Sequence, residues 1–340
     1  MSPIATTAHD AAKAVGSAPD EETLGHHGPS ECFIPSTWAQ GQHIFVRARG
    51  PRGRTPLVLV HGFFQPASAI LDVPGYSLQQ ALAAQGFRVY LFDFRGYGAS
   101  SRPPFMDRPA AESSPSLGCM RDAVADLEDV VRFVLHEESA AQLDLLGYSW
   151  GTARSVNCAL RHPDQVRKLV LYAPVWKPST GAAGDAHDPA APGHIHPKHG
   201  GYVLYKPGDL ARNWDWEIDK EESHRFRSPE TLAAAEQALM ASDDFPVWGG
   251  FRAPLGPMVD ALAVSQGSAL FDAGQVGCDT LLLRGAQDRL SSELDATSLL
   301  QALGAPHKRL VTVENGTHLL HLEHARGRLL EEVNAFLMAP

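Results

Sequence analysis

The sequence reads Gly147-Tyr148-Ser149-Trp150-Gly151 where an apolar run over 143–146 gives way to a helical pattern over 152–161. A G-x-S-x-G segment between a strand and a helix is typical of a nucleophile elbow, a turn so tight that the serine backbone is strained. Glycine at both ends removes the clash that a side chain would make there. The context therefore predicts Ser149 as a nucleophile above a sheet edge, rather than a structural serine in a turn.

A serine hydroxyl is a weak nucleophile until a base removes its proton. The candidate base is His318, which ends the segment Asn315-Gly316-Thr317-His318 directly after a predicted strand over 309–313. A loop at this place would bring the imidazole back over the sheet edge. His321 and His324 lie nearby in the sequence and remain rival candidates.

A catalytic histidine needs an acid that holds its tautomer and stabilises the imidazolium. Asp288 follows a predicted strand over 280–283, and the chain order is then Ser, Asp, His, as in the α/β-hydrolase arrangement. Asp288 could also be a helix cap or turn residue. Asp279 is a weaker rival because it precedes the same strand and so lies at the opposite sheet edge.

Acyl transfer also needs two backbone donors for the oxyanion of the tetrahedral intermediate. One predicted donor is the N–H of Trp150, immediately after the nucleophile. The other is the N–H of Phe63, in the turn His61-Gly62-Phe63-Phe64 after a predicted strand over 57–60. Gly62 would let this turn close against the site, and we interpret His61 as a structural residue packed beneath the loop.

These features together resemble the α/β-hydrolase superfamily over roughly residues 43–338. Besides the elbow, Asp288 and His318, the matching segments are His61-Gly62 and Asp93–Ser100. The resemblance implies that Asp93–Ser100 is a structural turn after a sheet strand. The serine argues against the dehalogenases and epoxide hydrolases of this superfamily, which use an aspartate nucleophile.

Alternating strands and helices independently predict an α/β fold with a mostly parallel sheet and helices on both faces. The predicted strands cover 43–49, 57–60, 87–92, 143–146, 168–172, 280–283 and 309–313, and the predicted helices cover 76–85, 121–135, 152–161, 229–240 and 325–337. Residues 1–30 are predicted to be a mobile N-terminal arm. Residues 31–173 and 278–340 would form the α/β-hydrolase core. Residues 174–277, where the alternation breaks, would form a helical cap inserted over the sheet edge.

The predicted cap contains four of the six tryptophans of the chain. These side chains and Phe64 could line a substrate pocket, or the tryptophans could form the cap's own core. The tryptophans concerned are Trp176, Trp214, Trp216 and Trp248. The cap also carries Asp215, Glu217, Asp219, Glu221 and Glu222, whose spacing predicts a mostly solvated face.

The composition of the chain excludes some classes of binding partner and is consistent with a small-molecule substrate. A formal net charge of −10 argues against nucleic acid, which requires a basic surface. No apolar run is long enough for a membrane span, and the first thirty residues contain no apolar run of signal-peptide type, so we expect a soluble, cytoplasmic protein. His194, His196 and His199 lack a nearby acidic or thiol ligand in the sequence, and we interpret them as surface histidines rather than a metal site. We expect no cofactor and no metal; the pattern leaves the oligomeric state open.

The sequence therefore predicts a serine hydrolase that cleaves a small apolar or aromatic carboxylic ester through an acyl-serine intermediate. Ser149-Trp150-Gly151 and Trp214-Asp215-Trp216-Glu217 also resemble prolyl aminopeptidases, so an aminopeptidase or amidase is the nearest alternative. The turn at 61–65 departs from their His-Gly-Gly-Pro-Gly, which favours the esterase. A ligand receptor on a hydrolase fold is a third possibility, since fold alone does not specify activity.

Overall fold

The structure of this protein is a computed structural model. It describes residues 29–110, 117–177, 188, 190, 191, 195–218, 220–243, 249–265 and 269–340. The predicted N-terminal arm lies outside the described residues up to position 28, and so do Trp248 and His194.

Within the described residues, eight strands form one central sheet in the order β1-β2-β4-β3-β5-β6-β9-β10. The first two pairings from the β1 edge, β1 with β2 and β2 with β4, are antiparallel, and the remaining neighbours are parallel. The eight strands of this sheet are β1 (Ser30–Pro35), β2 (His43–Arg49), β3 (Leu57–Val60), β4 (Val89–Asp93), β5 (Leu143–Tyr148), β6 (Val166–Tyr172), β9 (Asp279–Gly285) and β10 (Lys308–Val313). Two further strands of the described chain, β7 (Tyr202–Tyr205) and β8 (Phe251–Pro254), form a separate pair. The mostly parallel sheet confirms the predicted fold class.

In the part of the chain that the structure describes, six helices lie in the region that forms the central sheet, and three lie in the insertion between β6 and β9. In chain order the helices are α1 (Ala67–Ile70), α2 (Leu78–Ala84), α3 (Met120–Glu137), α4 (Trp150–Arg161), α5 (Asp209–Asp215), α6 (Pro229–Met240), α7 (Gly256–Ser265), α8 (Glu293–Ala302) and α9 (Arg326–Met338). The repeat that predicts α3 forms its buried face, with Val124, Leu127, Val131 and Val134. Helix α6 begins where Ser228 accepts a hydrogen bond from the N–H of Thr231, with Pro229 in the first turn.

Strands β2 and β3 have the predicted bounds, and the other predicted strands differ at one or both ends by one or two residues. Every residue of β3, β4 and β5 is buried, as continuous apolar runs in a parallel sheet require. Strand β1 was not predicted: it lies at the sheet edge, its Phe33 side chain is exposed, and it ends in Pro35. An edge strand buries little apolar surface, so its pattern carries little signal.

The insertion between β6 and β9 holds α5, α6 and α7 together with a separate antiparallel pair, β7 and β8. This small sheet was not predicted. Its partners, such as Tyr202 and Pro254, lie about fifty positions apart in the chain, so no local turn signal announces the pairing.

The segment that follows β4 is held by buried polar contacts. Asp93 accepts hydrogen bonds from the N–H groups of Ser68 and Ala99, at 2.9 and 3.0 Å. Arg95 donates from Nε to Oδ1 of Asp126 on α3 at 2.5 Å, and both side chains are 3% exposed. Burial raises the pKa of Asp126 to about 6 even though the guanidinium favours its charged form. This ion pair ties the turn after β4 to helix α3.

We expect Arg95→Met to lower the free energy of unfolding by about 3–5 kcal/mol, because it leaves the buried carboxylate of Asp126 without its counter-charge. Urea unfolding followed by circular dichroism measures the change. The matched control is Arg225→Met. The side chains of Arg225 and its partner Glu222 are equally exposed, so the loss of this ion pair should lower the free energy of unfolding by less than about 1 kcal/mol. Equal effects of the two substitutions would contradict the importance of the buried pair.

Candidate active site

Strand β5 delivers Ser149 to the carboxyl edge of the sheet in a strained turn. Ser149 has φ 54° and ψ −125°, and residues other than glycine rarely adopt a positive φ. Helix α4 begins immediately after it. A Cβ at Gly151 would lie 2.1 Å from the carbonyl oxygen of Val60, so only glycine fits there. The turn thus holds the hydroxyl at the sheet edge instead of in the helix.

The loops after β9 and β10 bring an acid and a base to this hydroxyl. Nε2 of His318 lies 2.9 Å from Oγ of Ser149, and Nδ1 lies 3.0 and 3.1 Å from the two carboxylate oxygens of Asp288. With Nδ1–H donating to the carboxylate, Nε2 is left as an acceptor for the serine proton. The three predicted residues therefore form one hydrogen-bonded chain.

The Asp288 carboxylate is oriented by its own loop. Its Oδ1 accepts the N–H groups of Leu290 and Ser291 at 2.9 and 2.7 Å. Arg284 braces the same loop from β9, donating to the carbonyl oxygens of Ser291 and Asp288 at 2.7 and 2.9 Å. The acid consequently has one orientation relative to the imidazole.

The electrostatic surroundings of His318 favour its protonated form. Burial by itself lowers the pKa of the imidazole, but the Asp288 carboxylate, assisted by Glu217 and Glu323, raises the pKa above its ordinary value. A base of this kind is protonated as pH falls, so reactivity of Ser149 should be lost on the acid side.

The rival candidates lie elsewhere. His321 is fully buried, with Nδ1 3.1 Å from the hydroxyl of Tyr172 and Nε2 3.1 Å from the carbonyl oxygen of Ile70, and burial lowers its pKa to about 3. His324 is exposed. Asp279 lies at the other end of β9, 2.9 Å from Nδ1 of His307.

His61 occupies a buried position beneath the turn after β3. Its Nδ1 lies 3.0 Å from the carbonyl oxygen of Gly62, and its Nε2 accepts the N–H of Phe94 at 3.1 Å. Burial, assisted by the charge of Arg154, holds the pKa of this imidazole well below its usual value. A neutral ring that accepts from one loop and donates to another is a structural element.

The turn after β3 meets the elbow closely. A Cβ at Gly62 would lie 2.8 Å from Cβ of Ser149, so the residue must be glycine. Phe64 has φ 68°, which folds the chain sharply after Phe63. Among the described residues, the backbone N–H groups of Phe63 and Trp150 donate no hydrogen bond to another protein group. Both predicted oxyanion donors are thus available to a ligand.

A cavity of about 300 Å³ opens over Ser149, at the small end of ligand pockets. Its walls are largely apolar and come from both the core and the insertion. Apolar and aromatic lining residues include Phe63, Phe64, Leu210, Trp214, Trp216 and Met258. Away from the triad, the polar lining residues are Gln65, Tyr205 and Asn213, and Glu217 lies beside the base.

The predicted aromatic lining divides between two locations. Phe64, Trp214 and Trp216 line the cavity. Trp176 does not: it packs beside Phe271 and donates its indole N–H to the carbonyl oxygen of Phe271 at 2.9 Å. The reason is position, since Trp176 follows β6 within a few residues and is tethered near the base of the insertion. Trp248 lies outside the described residues.

The structure places two carboxylates at the site in positions that the sequence does not predict. Glu217, expected with its acidic neighbours on a solvated face, is 4% exposed and accepts the backbone N–H of His318 at 2.8 Å. Glu323 accepts the N–H and the hydroxyl of Thr317 and the indole N–H of Trp214, at 2.8, 2.6 and 2.7 Å. The contacts of Glu217 with His318 and of Glu323 with Trp214 span more than a hundred positions of the chain, so no motif predicts them.

Possible metal ligands are grouped at one place in the described residues. Ligand atoms of Glu217, Asp288 and His318 lie within 4.8 Å of one another, but they already bond to each other and to backbone N–H groups. His196 and His199 have ring centroids 6.5 Å apart, and His194 lies outside the described residues.

Comparison with known proteins extends over most of the chain. A family model described as "Serine aminopeptidase, S33" matches residues 51–325. A (lyso)-N-acylphosphatidylethanolamine lipase of Bos taurus is 32% identical over 126 residues, which is 36% of this chain and 31% of that protein. A bifunctional epoxide hydrolase 2 of Rattus norvegicus is 36% identical over 100 residues, 29% of this chain and 16% of that protein. The chain thus spans less than a third of the length of these relatives.

A solved structure shares the fold. A thermophilic esterase from Thermogutta terrifontis superimposes with a TM-score of 0.62 at 18% identity, covering 91% of this chain and 98% of that one. Among the helices that the structure describes, none combines the length and apolar character that crossing a bilayer requires.

Proposed function

Because this chain belongs to the serine aminopeptidase family within the α/β-hydrolase superfamily, we propose that it hydrolyses carboxylic esters with a small apolar or aromatic acyl group. The reaction proceeds through an acyl-serine intermediate on Ser149. Family membership supports a hydrolase, and the cavity supports the ester and its acyl group.

The observation that carries this proposal is the character of the cavity over Ser149. Its walls are mostly aromatic and aliphatic, so they favour an apolar acyl group. Glu217 is the one carboxylate among the described residues that line it, and each of its oxygens already accepts a backbone N–H. An ester needs no charged anchor, whereas a substrate ammonium would have to share this carboxylate.

Acylation begins when Nε2 of His318 takes the proton from Oγ of Ser149 as the oxygen attacks the ester carbonyl. The resulting imidazolium is stabilised by Asp288 across the bonds at Nδ1. The N–H groups of Phe63 and Trp150 stabilise the oxyanion. Collapse of the tetrahedral intermediate breaks the bond to the alkoxide, which takes the proton from His318.

Deacylation repeats the same steps with water as the nucleophile. His318 removes a proton from water as it attacks the acyl-serine, and then returns the proton to Oγ of Ser149. The products are a carboxylic acid and an alcohol, and Ser149 and His318 regain their starting protonation.

An aminopeptidase is the second candidate, favoured by two features. Trp150 follows the nucleophile, as in the prolyl aminopeptidases that this segment resembles, and Glu217 lines the cavity beside the base. For that function Glu217 would bind the substrate ammonium in addition to its two backbone donors.

We expect kcat/KM for p-nitrophenyl acetate, butyrate and benzoate to exceed that for prolyl and alanyl p-nitroanilides by at least about a hundredfold. Burying an ammonium that lacks a dedicated partner costs a few kcal/mol, which corresponds to this factor. Initial rates at equal enzyme concentration, followed by release of the chromophore, provide the comparison.

Butyryl p-nitroanilide is the matched control, because it has the leaving group of the prolyl anilide and lacks the ammonium. Cleavage of the prolyl compound more than tenfold faster than the butyryl compound, and faster than the esters, would overturn the esterase proposal in favour of the aminopeptidase.

A further inference from the structure

Glu217 lies three residues after Trp214 in the segment that leaves α5, and its carboxylate reaches both catalytic loops. Oε2 accepts the backbone N–H of His318 at 2.8 Å, a contact across 101 positions of the chain. Oε1 accepts the backbone N–H of Arg289 at 3.1 Å, across 72 positions. Arg289 directly follows Asp288, so one carboxylate from the insertion joins the loop of the acid to the loop of the base.

A second set of hydrogen bonds connects the loop that carries His318 to the same part of the insertion. The indole N–H of Trp214, which is fully buried, donates to Glu323, and Glu323 holds the N–H and hydroxyl of Thr317. Adjacent residues of the base loop, Thr317 and His318, are therefore fixed by two carboxylates. Both contacts depend on the position of the segment around Trp214 and Glu217.

The charges around Glu217 fit this role. Burial and then the neighbouring Asp288 raise its pKa to about 7, while His318 and the two N–H donors oppose the shift. Burial raises the pKa of Glu323, and its hydrogen bonds to Thr317 and Trp214, together with the charge of Arg227, oppose that shift. When His318 becomes an imidazolium during the reaction, the ionised form of Glu217 is favoured next to it.

We propose that Glu217 is a positioning residue of the serine-hydrolase reaction, a buried staple that holds the His318 and Asp288 loops in register and ties them to the cap. The proposal rests on the triad described above. It assigns to Glu217 no contact with the reacting atoms: it acts by orienting His318 and by adding negative charge beside the imidazolium.

This assignment differs from that of an ammonium anchor in what it predicts. An anchor contributes to substrate binding and would change KM for amine substrates alone. A staple contributes to the reactivity of Ser149 toward any electrophile. A fluorophosphonate reagent, which needs only the activated serine, therefore tests the staple whether or not esters are the substrates.

We expect Glu217→Gln to lower kcat for the best ester, and the rate constant of Ser149 phosphonylation, about tenfold or more. The amide keeps one acceptor but turns a donor toward the second N–H, and it removes the charge that raises the pKa of His318. The acid limb of both pH profiles should therefore move to lower pH. KM should stay within about threefold of the parent value.

Two further variants keep the test decisive. Glu217→Asp retains the charge but is one methylene short, so it should lower the rates while leaving the acid limb near the parent pH. Glu222→Gln, an exposed acid of the same insertion, should change nothing. Circular dichroism establishes that each variant is folded.

Rates within twofold of the parent protein in Glu217→Gln, or an unchanged acid limb, would overturn the staple. So would a change confined to KM for amine substrates. If the parent protein reacts with fluorophosphonate but cleaves no ester, the esterase proposal fails and the phosphonylation profiles still decide the role of Glu217.

Discussion

Ser149→Ala should lower kcat for an aryl ester by about 10⁶-fold, because among the described residues Ser149 is the nucleophilic side chain that is hydrogen-bonded to Nε2 of His318. In the parent protein, Nε2 of His318 is 2.9 Å from Oγ, the atom that the substitution removes. A burst of p-nitrophenol equal to the enzyme concentration, followed by steady turnover, should accompany the parent reaction and vanish in the variant. Intact-protein mass spectrometry after fluorophosphonate treatment should show one adduct, at Ser149.

Ser155→Ala is the control for this experiment. Ser155 lies in α4, the helix that begins directly after Ser149, is fully buried, and its hydroxyl has no hydrogen-bond partner among the described residues. Its removal should leave both turnover and labelling unchanged. A Ser149→Ala protein that retained more than one per cent of the parent activity would refute Ser149 as the nucleophile.

Asp288→Asn should lower kcat by about 10⁴-fold through the histidine tautomer. The side-chain oxygen of asparagine should remain where the N–H groups of Leu290 and Ser291 hold Oδ1. The new NH2 group then replaces Oδ2, which lies 3.0 Å from Nδ1 of His318. An NH2 at that place donates to Nδ1, so Nε2 carries the proton and cannot accept another from Ser149. Steady-state kinetics across the pH range measure the loss.

The matched control is Asp279→Asn, the same change at the other end of the same strand. Asp279 pairs with the exposed His307, away from the site, and kcat should stay within twofold of the parent value. Retention of a tenth of the parent activity by Asp288→Asn would show that another group orients His318, and Glu217, within 4.8 Å, would be the next candidate.

The elements that position the site could be predicted from the sequence because their signals are local. A buried parallel strand is a continuous apolar run, an amphipathic helix repeats every three or four residues, and the elbow needs glycine on either side of its serine. Strands β3, β5 and β9 carry such an apolar run, whereas β10 is a more exposed strand at the sheet edge. Since parallel strands end at the same sheet edge, the residues that follow them, Ser149, Asp288 and His318 among them, could be expected to meet.

The base could be predicted as a candidate but not separated from its neighbours by sequence. His318 and His321 are three residues apart, and both are buried. The path of the loop decides between them: it directs His318 toward Ser149 and leaves His321 against Tyr172 and Ile70, where burial keeps it neutral.

The walls and the electrostatics of the cavity depended on tertiary structure. Trp176 and Trp214 are the same residue type in the same predicted cap. Of these two, only Trp214 lines the cavity. Glu217 belongs to a run of acidic residues whose spacing predicts a solvated face. It is buried because the segment after α5 lies against the loops of Asp288 and His318, which come much later in the chain. Local backbone preferences follow from neighbouring residues, whereas a contact across 101 positions depends on how whole elements pack, and no short pattern encodes it.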